Sequence, residues 1–316
     1  MVATPWIQGV KADPVPGFRN SFPIPGSTDC FDLYRRPIGT PLCTGTHIAS
    51  RSPDIESSKS GHSPLSSGVA VIKPDLKCNH ILDALPVHER ERLGAHLEQV
   101  ELPLGGVIHD AGATQTHAYF PIDSIVSILY VLKNGGSAEV AIVGHDGMVG
   151  MPIVMGGGTS PHRAIVQAAG SALRMTAQHL RDECDRIGPL QQLLLRYNQA
   201  LMIQIGQTAV CNRHHSVDQQ LCRWLLMSLD RLPSNDLSMT QELIANMLGV
   251  RREGVTEAAG KLQRTDAIRY QRGRITVLDR PQLQRLCCEC YDVVQKEYLR
   301  LLPWDTNATV AQRAYA

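Results

Sequence analysis

The sequence predicts an α+β protein built from an antiparallel β-roll, a long central helix and a C-terminal winged helix-turn-helix. Three observations support this fold class: short strand-like segments between glycine turns, a heptad pattern of apolar residues after Gly188, and two helix signals around Gly249. A chain of 316 residues is long enough for two domains. We divide it into a Pro/Gly/Ser-rich extension (1–74), a β-roll (75–186), a central helix (187–213), a winged helix-turn-helix (214–302) and a tail (303–316).

Composition excludes some classes of protein. The 31 Lys and Arg residues nearly cancel the 30 Asp and Glu residues, so net charge gives no sign of a nucleic-acid partner. No apolar run is long enough to span a bilayer, and the N-terminus lacks the pattern of a secretory signal. We therefore expect a cytoplasmic protein with free thiols and no membrane partner.

No catalytic motif stands out. The sequence contains no phosphate-binding glycine loop before Lys-Ser/Thr, no GxSxG elbow and no HExxH pair. Gly156-Gly-Gly lies between strand-like segments and indicates a turn. An enzyme is therefore not expected.

Residues 1–74 differ from the rest of the chain. They contain 10 of the 19 prolines and show no sustained helical or strand period. Such a segment cannot bury enough apolar surface to offset the entropy of ordering it, so we expect disorder. Trp6 and three of the four phenylalanines also lie there, and a short docking segment is the alternative.

The roll is predicted from short segments with turn residues between them. Asn134-Gly-Gly separates two alternating runs, which is a strong hairpin signal. A helix is expected before the strands, around Leu85–Leu97, and another after them, at Ala177–Asp185. The predicted strands are Val107–His109, Tyr119–Pro121, Ile125–Leu132, Ala138–Val143, Ala164–Ala168 and Ala172–Met175.

The central helix begins after Gly188-Pro189 and has two apolar stripes. One stripe follows a 4,3 heptad spacing, and the other contains Leu193, Met202, Ile205 and Ala209. One face would cover the roll, while the other would meet a partner chain or another element of the same chain. The heptad positions are Leu190, Leu194, Tyr197, Leu201, Gln204, Thr208 and Cys211.

The last part of the chain predicts a helix-turn-helix. Ser238-Met239-Thr240 offers N-cap residues for a helix over 241–248, and Gly249 suits a sharp turn. A second helix over 251–264 follows, with Val255, Ala258, Ala259 and Leu262 facing inward. Two short strands joined by Gln-Arg-Gly-Arg complete a wing with basic residues at its tip.

This arrangement favours DNA binding through the second helix. Residues 240–280 contain 8 Lys/Arg against 5 Asp/Glu, a local basic excess. Arg252 and Glu253 suit base edges in the major groove, while the cationic residues further on suit phosphates. The alternative is a ligand-sensing or scaffold protein that uses the winged helix for protein contacts. The predicted DNA-contacting residues are Thr240, Gln241, Arg251, Arg252, Glu253, Thr256, Glu257, Lys261, Arg264, Arg272 and Arg274.

From about Leu82 to Leu302 the sequence resembles the Crp/Fnr superfamily of bacterial transcription regulators. The resemblance lies in the roll pattern, the helix after Ile187-Gly-Pro, and the stretch from Thr240 to Val255. It implies a cyclic-nucleotide-binding-type roll, a homodimer through the central helix, operator DNA as partner and RNA polymerase as a further partner. It also implies that the 190–211 heptad is the dimer contact and that Arg252, Glu253 and Glu257 face the bases.

The effector region departs from that family pattern. The expected ribose-binding Glu is absent, and Met148 to Met151 stand in its place. Arg163 is the one candidate effector-binding residue, because a guanidinium suits phosphate, although a structural role is equally open. We therefore predict no cofactor and do not expect the usual mode of cyclic-AMP binding; a haem on His109, His117 or His145 is an alternative.

The cysteines allow a metal site, but the sequence favours packing. Cys287 and Cys290 have helical i,i+3 spacing, and Cys211 with His214 or His215 would complete a tetrahedral set. Free cysteines more often pack like small apolar residues. The sequence therefore predicts no metal here, and leaves open whether Cys287, Cys288 and Cys290 bind metal or respond to oxidation. Cys30, Cys43 and Cys78 are too widely spaced for the N-terminal iron–sulfur cluster of some Crp/Fnr members.

Overall fold

A computed structural model describes residues 75–302 of the chain. The predicted disordered extension (1–74) and the tail (303–316) lie outside these residues, as does the docking segment proposed around Trp6. Among residues 75–302, no helix combines the length and apolar character that crossing a bilayer requires.

Two short helices precede the roll and are anchored to it. A single 3-10 turn, Leu76–Cys78, leads into α1 (His80–Asp83) and α2 (Val87–Gly94). Asn79 caps α1 and is buried; its Nδ2 donates to the carbonyls of Pro121 and Gly147, each at 3.0 Å. Because both carbonyls belong to the roll, this one amide fixes the helices to it.

The roll consists of two antiparallel sheets. One has the strand order β1-β7-β3 and the other β2-β6-β4-β5, so β5 is an edge strand. All six predicted strands are present, whereas β1 was not predicted. The strands are β1 (Glu98–Leu102), β2 (Val107–His109), β3 (His117–Pro121), β4 (Ile125–Val131), β5 (Ser137–Val143), β6 (Arg163–Ala168) and β7 (Gly170–Thr176).

The predicted hairpin at Asn134-Gly-Gly joins β4 to β5. Leu132 N–H donates to the Gly136 carbonyl at 2.7 Å, which closes the loop. Gly135 has φ +84°, a conformation that glycine adopts without steric cost. The β4–β5 hairpin is therefore confirmed, with Val131 opposite Ser137 at its end.

Three helices follow the strands or lie between them. Helix α3 (Met151–Val154) connects β5 to β6, and α4 (Ala177–Cys184) follows β7. The long helix α5 spans Pro189–His214, as predicted from the pattern after Gly188.

The heptad residues of α5 that were predicted as the dimer contact are buried inside the chain. Leu190, Leu194 and Tyr197 are at most 2% exposed, Leu201 packs partly buried against the same core, and Gln204 and Thr208 are buried. Tyr197 Oη donates to the Met148 carbonyl at 3.1 Å, and Gln204 bonds to both backbone groups of Ile142. The heptad face therefore covers the roll of its own chain.

The C-terminal part begins with α6 (Val217–Leu229), which Ser216 and Gln219 cap reciprocally. Three short strands form one sheet in the order β8-β10-β9, in which β8 was not predicted. The other elements are β8 (Asp236–Ser238), α7 (Gln241–Leu248), α8 (Arg252–Arg264), β9 (Ile268–Gln271), β10 (Arg274–Val277), α9 (Arg280–Leu286) and α10 (Cys290–Leu301).

Side chains from the roll and the C-terminal part share one core. Met247 of α7 packs with Leu129 and Ile165 of the roll, and Trp224 Nε1 donates to Glu139 Oε1 at 3.0 Å. Helix α10 returns to pack along α5. The position of the helix-turn-helix is therefore set by contacts with the roll and with the central helix.

Candidate nucleic-acid interface

Helix α7 and the turn after it form as their local sequence predicts. Thr240 is the N-cap residue, and its hydroxyl accepts from the Leu243 N–H at 3.3 Å. Gly249 ends the helix with φ +65°, and its N–H bonds to the Ala245 carbonyl. The turn then directs the chain into α8.

Helix α8 has one buried face and one exposed face. The buried residues are those predicted to face inward, from Val255 to Leu262. No side chain caps its N-terminus at Arg251, which leaves backbone N–H groups at the positive end of the helix dipole. The residues on the exposed face are Arg251, Arg252, Glu253, Thr256, Glu257, Lys261 and Arg264.

A hydrogen bond joins the start of α7 to α8. The Thr256 hydroxyl lies 2.8 Å from Gln241 Oε1 and 3.0 Å from the Arg252 carbonyl. Both side chains were predicted to contact DNA, and the structure brings them together. The contact between Gln241 Oε1 and the Thr256 hydroxyl holds these two side chains in fixed relative positions.

The wing turns sharply beside α8. Arg272 and Gly273 both have positive φ, +49° and +76°, as a two-residue primed hairpin turn requires. A left-handed arginine costs roughly 1 kcal/mol, and such backbone strain is concentrated at functional sites. Arg272 and Arg274 are exposed at this turn, as predicted.

A concave surface lies between α8 and the wing. The Tyr270 hydroxyl donates to the Met239 carbonyl at 2.8 Å, and the Tyr270 N–H donates to Gln263 Oε1 at 2.7 Å. Neither Gln263 nor Tyr270 was predicted to belong to the site, although Gln263 lies seven residues after Thr256 on the same helix face. The surface is lined by Thr240, Gln241, Arg252, Thr256, Gln263, Tyr270 and Arg272.

Lys261 has carboxylate partners that sequence reasoning missed. Its Nζ lies 2.9 Å from Asp218 Oδ2 and 3.1 Å from Glu257 Oε1. The hydrogen bond to Asp218 and then that to Glu257 raise the pKa of Lys261. Asp218 comes from the first turn of α6, 43 residues earlier, so no local pattern indicates this ion pair.

Arg163, the candidate effector residue, lies at the start of β6. Its Nε is 2.5 Å from Asp110 Oδ1. Met148 and Met151, which stand where the family's Glu is expected, are 1% and 5% exposed and belong to the core. The pairing with Asp110 gives Arg163 a structural contact that phosphate would have to replace.

The histidines considered for haem have other neighbours. His109 Nε2 lies 3.1 Å from Gln115 Nε2, and burial lowers the pKa of His109. His117 Nδ1 is 2.9 Å from the Thr116 hydroxyl, while His145 Nδ1 is 3.3 Å from the Arg231 carbonyl. These contacts give each ring a role in holding the surrounding backbone or side chains.

The helix pair and wing also match a known family. Residues 219–286 match the family model described as a Crp-like helix-turn-helix domain. This part of the chain is therefore similar to a Crp-like helix-turn-helix domain. The matching region begins within α6 and ends with α9, so α10 lies beyond it. No curated protein sequence matches the chain.

Solved structures show that the fold extends beyond the Crp-like helix-turn-helix domain. The Crp/Fnr-family regulator from Eubacterium rectale ATCC 33656 is 17% identical, with 66% of this chain and 98% of that chain covered and a TM-score of 0.51. FixK2 from Bradyrhizobium japonicum is 14% identical, with 61% and 98% covered and a TM-score of 0.51. A CRP-family transcriptional regulator from Thermus thermophilus, TTHB099, is 17% identical, with 59% and 95% covered and a TM-score of 0.50. The chain shares the fold of Crp/Fnr regulators.

Proposed function

We propose that this protein is a homodimeric transcription regulator that binds a specific DNA sequence through α8. The observation that supports this most directly is the exposed face of α8, where Arg252 and Glu253 stand at the helix start beside the basic turn of the wing. A helix fits the major groove, and residues near its N-terminus reach base edges.

The contacts divide into two kinds. Arg252 would donate to guanine O6 and N7, and Glu253 would accept from cytosine N4. Arg264, Arg272 and Arg274 would bind phosphates, as would the uncapped N-terminus of α8. Glu257 lies on the same face and repels phosphate, which disfavours operators in which it would approach the backbone.

A second copy of the chain would bind along the exposed face of α5. Leu195 and Met202 are 54% and 62% exposed, although both are apolar. With Gln199, Gly206 and Ala209, which are also exposed, they repeat at the 4,3 spacing of a two-helix contact, and Gln199 is the polar position of this stripe. A Cβ built on Gly206 meets no atom within 4 Å, so a second helix could approach closely there.

The two helices α8 of such a dimer would enter successive major grooves. A two-fold protein then requires a near-palindromic site with half-sites about one helical turn, roughly 34 Å, apart. Because the local basic excess is small, we expect base contacts to contribute a substantial share of the free energy of binding to the specific site.

The test is selection of bound DNA from a random pool, followed by binding of the selected operator to variants. Arg252→Ala is expected to relax preference at one position of each half-site, with a loss of about 1–3 kcal/mol, which is roughly 5-fold to 150-fold in Kd. Arg264→Ala is expected to weaken binding to all sequences equally. It should also lower the number of counterions released on binding by about one, as read from the salt dependence of Kd.

Arg285→Ala is the control, since this exposed arginine lies on α9, outside the concave surface. If no sequence is enriched, or if Arg252→Ala and Arg285→Ala bind the operator alike, α8 does not recognise DNA. The winged helix would then serve protein contacts instead.

A further inference from the structure

A cluster of three cysteines and one histidine lies where α5 ends and α10 begins. Cys211, His215, Cys288 and Cys290 each offer one ligand atom, and these four atoms lie within 4.8 Å of one another. The cluster lies outside the concave surface of α8 and outside the roll. Nothing in the proposed DNA contact uses it.

The chain brings these residues together from two separate segments. Cys211 lies in the last turn of α5 and His215 is its C-cap residue, whose N–H donates to the Cys211 carbonyl at 3.0 Å and so holds the two residues together. Cys288 lies in the link between α9 and α10, and Cys290 is the first residue of α10. Cys287, which forms with Cys290 the i,i+3 pair noted in the sequence, follows α9 in extended backbone and lies outside this set.

The spacing of the ligand atoms fits a tetrahedral metal ion. Cys211 Sγ is 3.6 Å from Cys288 Sγ, and Cys290 Sγ is 3.4 Å from His215 Nδ1. With metal–sulfur bonds of about 2.3 Å and metal–nitrogen bonds of about 2.0 Å, ligand atoms of a tetrahedral zinc site lie roughly 3.5–3.8 Å apart. Small shifts of the side chains would therefore bring all four atoms into bonding distance.

The surroundings supply the contacts that support metal ligands. With Nδ1 facing the cluster, His215 directs Nε2 to Glu289 Oε2 at 3.4 Å, an arrangement common behind metal-bound histidines. Gln207 Nε2 donates to Cys290 Sγ at 3.1 Å. Hydrogen bonds of this kind orient the ligands and stabilise negative charge on sulfur.

Burial and charge point to a closed site. Cys211 and Cys290 are fully buried and Cys288 is 5% exposed. With His215 as the fourth ligand, little room remains for a water molecule on the metal ion. Three thiolates, one neutral imidazole and a divalent ion give a net charge of about −1. The buried guanidinium of Arg223, whose Nε has no hydrogen-bond partner among the described residues, attracts the Cys211 sulfur electrostatically.

We propose that Cys211, His215, Cys288 and Cys290 bind one zinc ion that fastens the start of α10 to the end of α5. Soft thiolate ligands with one imidazole in tetrahedral geometry favour zinc among the common divalent ions. Binding converts the three thiols to thiolates, and their protons leave to solvent. Because α6 begins directly after His215, the ion also fixes where the Crp-like helix-turn-helix domain leaves the central helix.

The test is the zinc content of the full chain, purified under reducing conditions and measured by mass spectrometry of the metal. About one zinc ion per chain is expected. Cys290→Ser and His215→Ala should lose most of it. Cys287→Ser and His214→Ala are matched controls, because each changes a neighbour of the same type outside the cluster, and both should keep the metal.

A second measurement does not depend on the variants folding. The wild-type chain, freed of metal and supplied with Co²⁺, should show the intense visible bands and thiolate charge transfer of tetrahedral cobalt. A chain that takes up neither zinc nor cobalt would overturn the proposal, as would Cys287→Ser losing metal as fully as Cys290→Ser. A Cys211–Cys288 disulfide in the freshly purified protein, or an iron–sulfur absorption spectrum, would also overturn it.

Discussion

Arg231 and Asp146 form an ion pair that joins the C-terminal part of the chain to the roll. Arg231 Nη2 lies 2.5 Å from Asp146 Oδ2, and Nε lies 3.0 Å from Oδ1. The Arg231 side chain is 2% exposed, its Nη1 donates to the Met227 carbonyl, and its guanidinium lies 5.8 Å from the centre of the Tyr298 ring. One buried cation therefore contacts the roll, α6 and α10.

Asp146→Asn should destabilise the protein strongly, because it leaves the buried Arg231 charge without its carboxylate. Removing one partner of a buried ion pair costs about 3–5 kcal/mol in the free energy of unfolding. Urea unfolding at neutral pH measures this loss of stability. Asp83→Asn is the control, since Asp83 is 49% exposed and its pair with Arg90 should contribute less than about 1 kcal/mol. Equal losses in the two variants would show that Asp146 does not stabilise the buried charge.

Glu139 should make stability fall as pH rises. Burial raises the pKa of Glu139 to about 7, although Trp224 donates to one of its oxygens. The folded state therefore binds a proton between pH 4.5 and about 7 that the unfolded state has released, so Glu139 lowers the free energy of unfolding across that range by a few kcal/mol.

Glu139→Gln keeps an acceptor for Trp224 and cannot ionise. Its free energy of unfolding should exceed that of the wild type at pH 8 and approach it near pH 4.5. Urea unfolding at a series of pH values gives the free energy of unfolding of both proteins. All other groups titrate alike in the two proteins, so their contributions cancel in the difference. A difference that does not change with pH would show that Glu139 titrates normally.

Asp218→Asn should strengthen DNA binding. In the free protein Asp218 pairs with Lys261, and that pair must loosen before Lys261 can approach a phosphate. Without the carboxylate, Kd for DNA of any sequence should fall several-fold. The number of counterions released on binding, read from the salt dependence of Kd, should increase by about one. Asp292→Asn, an exposed carboxylate on α10, is the control for the change in net charge. The same gain in both variants would reflect net charge alone.

Met202→Glu should convert the proposed dimer to a monomer with little loss of monomer stability. Met202 is 62% exposed in one chain, so the charge is tolerated there but would be buried between two helices α5. Sedimentation equilibrium gives the mass. Val87→Glu, at 60% exposure on α2, is the matched control and should leave the dimer intact. If Met202→Glu remains a dimer, the chains associate through another surface.

The helix-turn-helix was predictable because its signals are local. Thr240, Gly249 and the spacing of Val255 to Leu262 determine caps, turn and inner face within 25 residues of sequence, and each appears where expected. Strands β1 and β8 were missed for the opposite reason. Each pairs with a strand far along the chain, and β1, Glu98–Leu102, is mostly exposed and has only two apolar residues, Val100 and Leu102.

The face of α5 that stays free for a partner could not be predicted from its spacing. Two stripes fit a heptad pattern, and only the fold shows that Tyr197 and Gln204 are covered by the roll and by Tyr298 of α10. The members of the cysteine cluster could not be predicted from sequence spacing for the same reason. The i,i+3 spacing of Cys287 and Cys290 assumes one continuous helix, whereas α9 ends at Leu286 and Cys288 lies against Cys211.

The hydrogen bonds of Gln204 hinder edge-to-edge pairing between the sheets of two different molecules. Its Oε1 accepts from the Ile142 N–H at 2.8 Å, and its Nε2 donates to the Ile142 carbonyl at 3.3 Å. Ile142 lies in β5, the edge strand, so the amide side chain occupies the place of a neighbouring strand's peptide group. Edge strands with unpaired backbone groups are templates for aggregation. Gln204 thereby closes part of that edge, and the helix that would hold two chains together also keeps their sheets from joining.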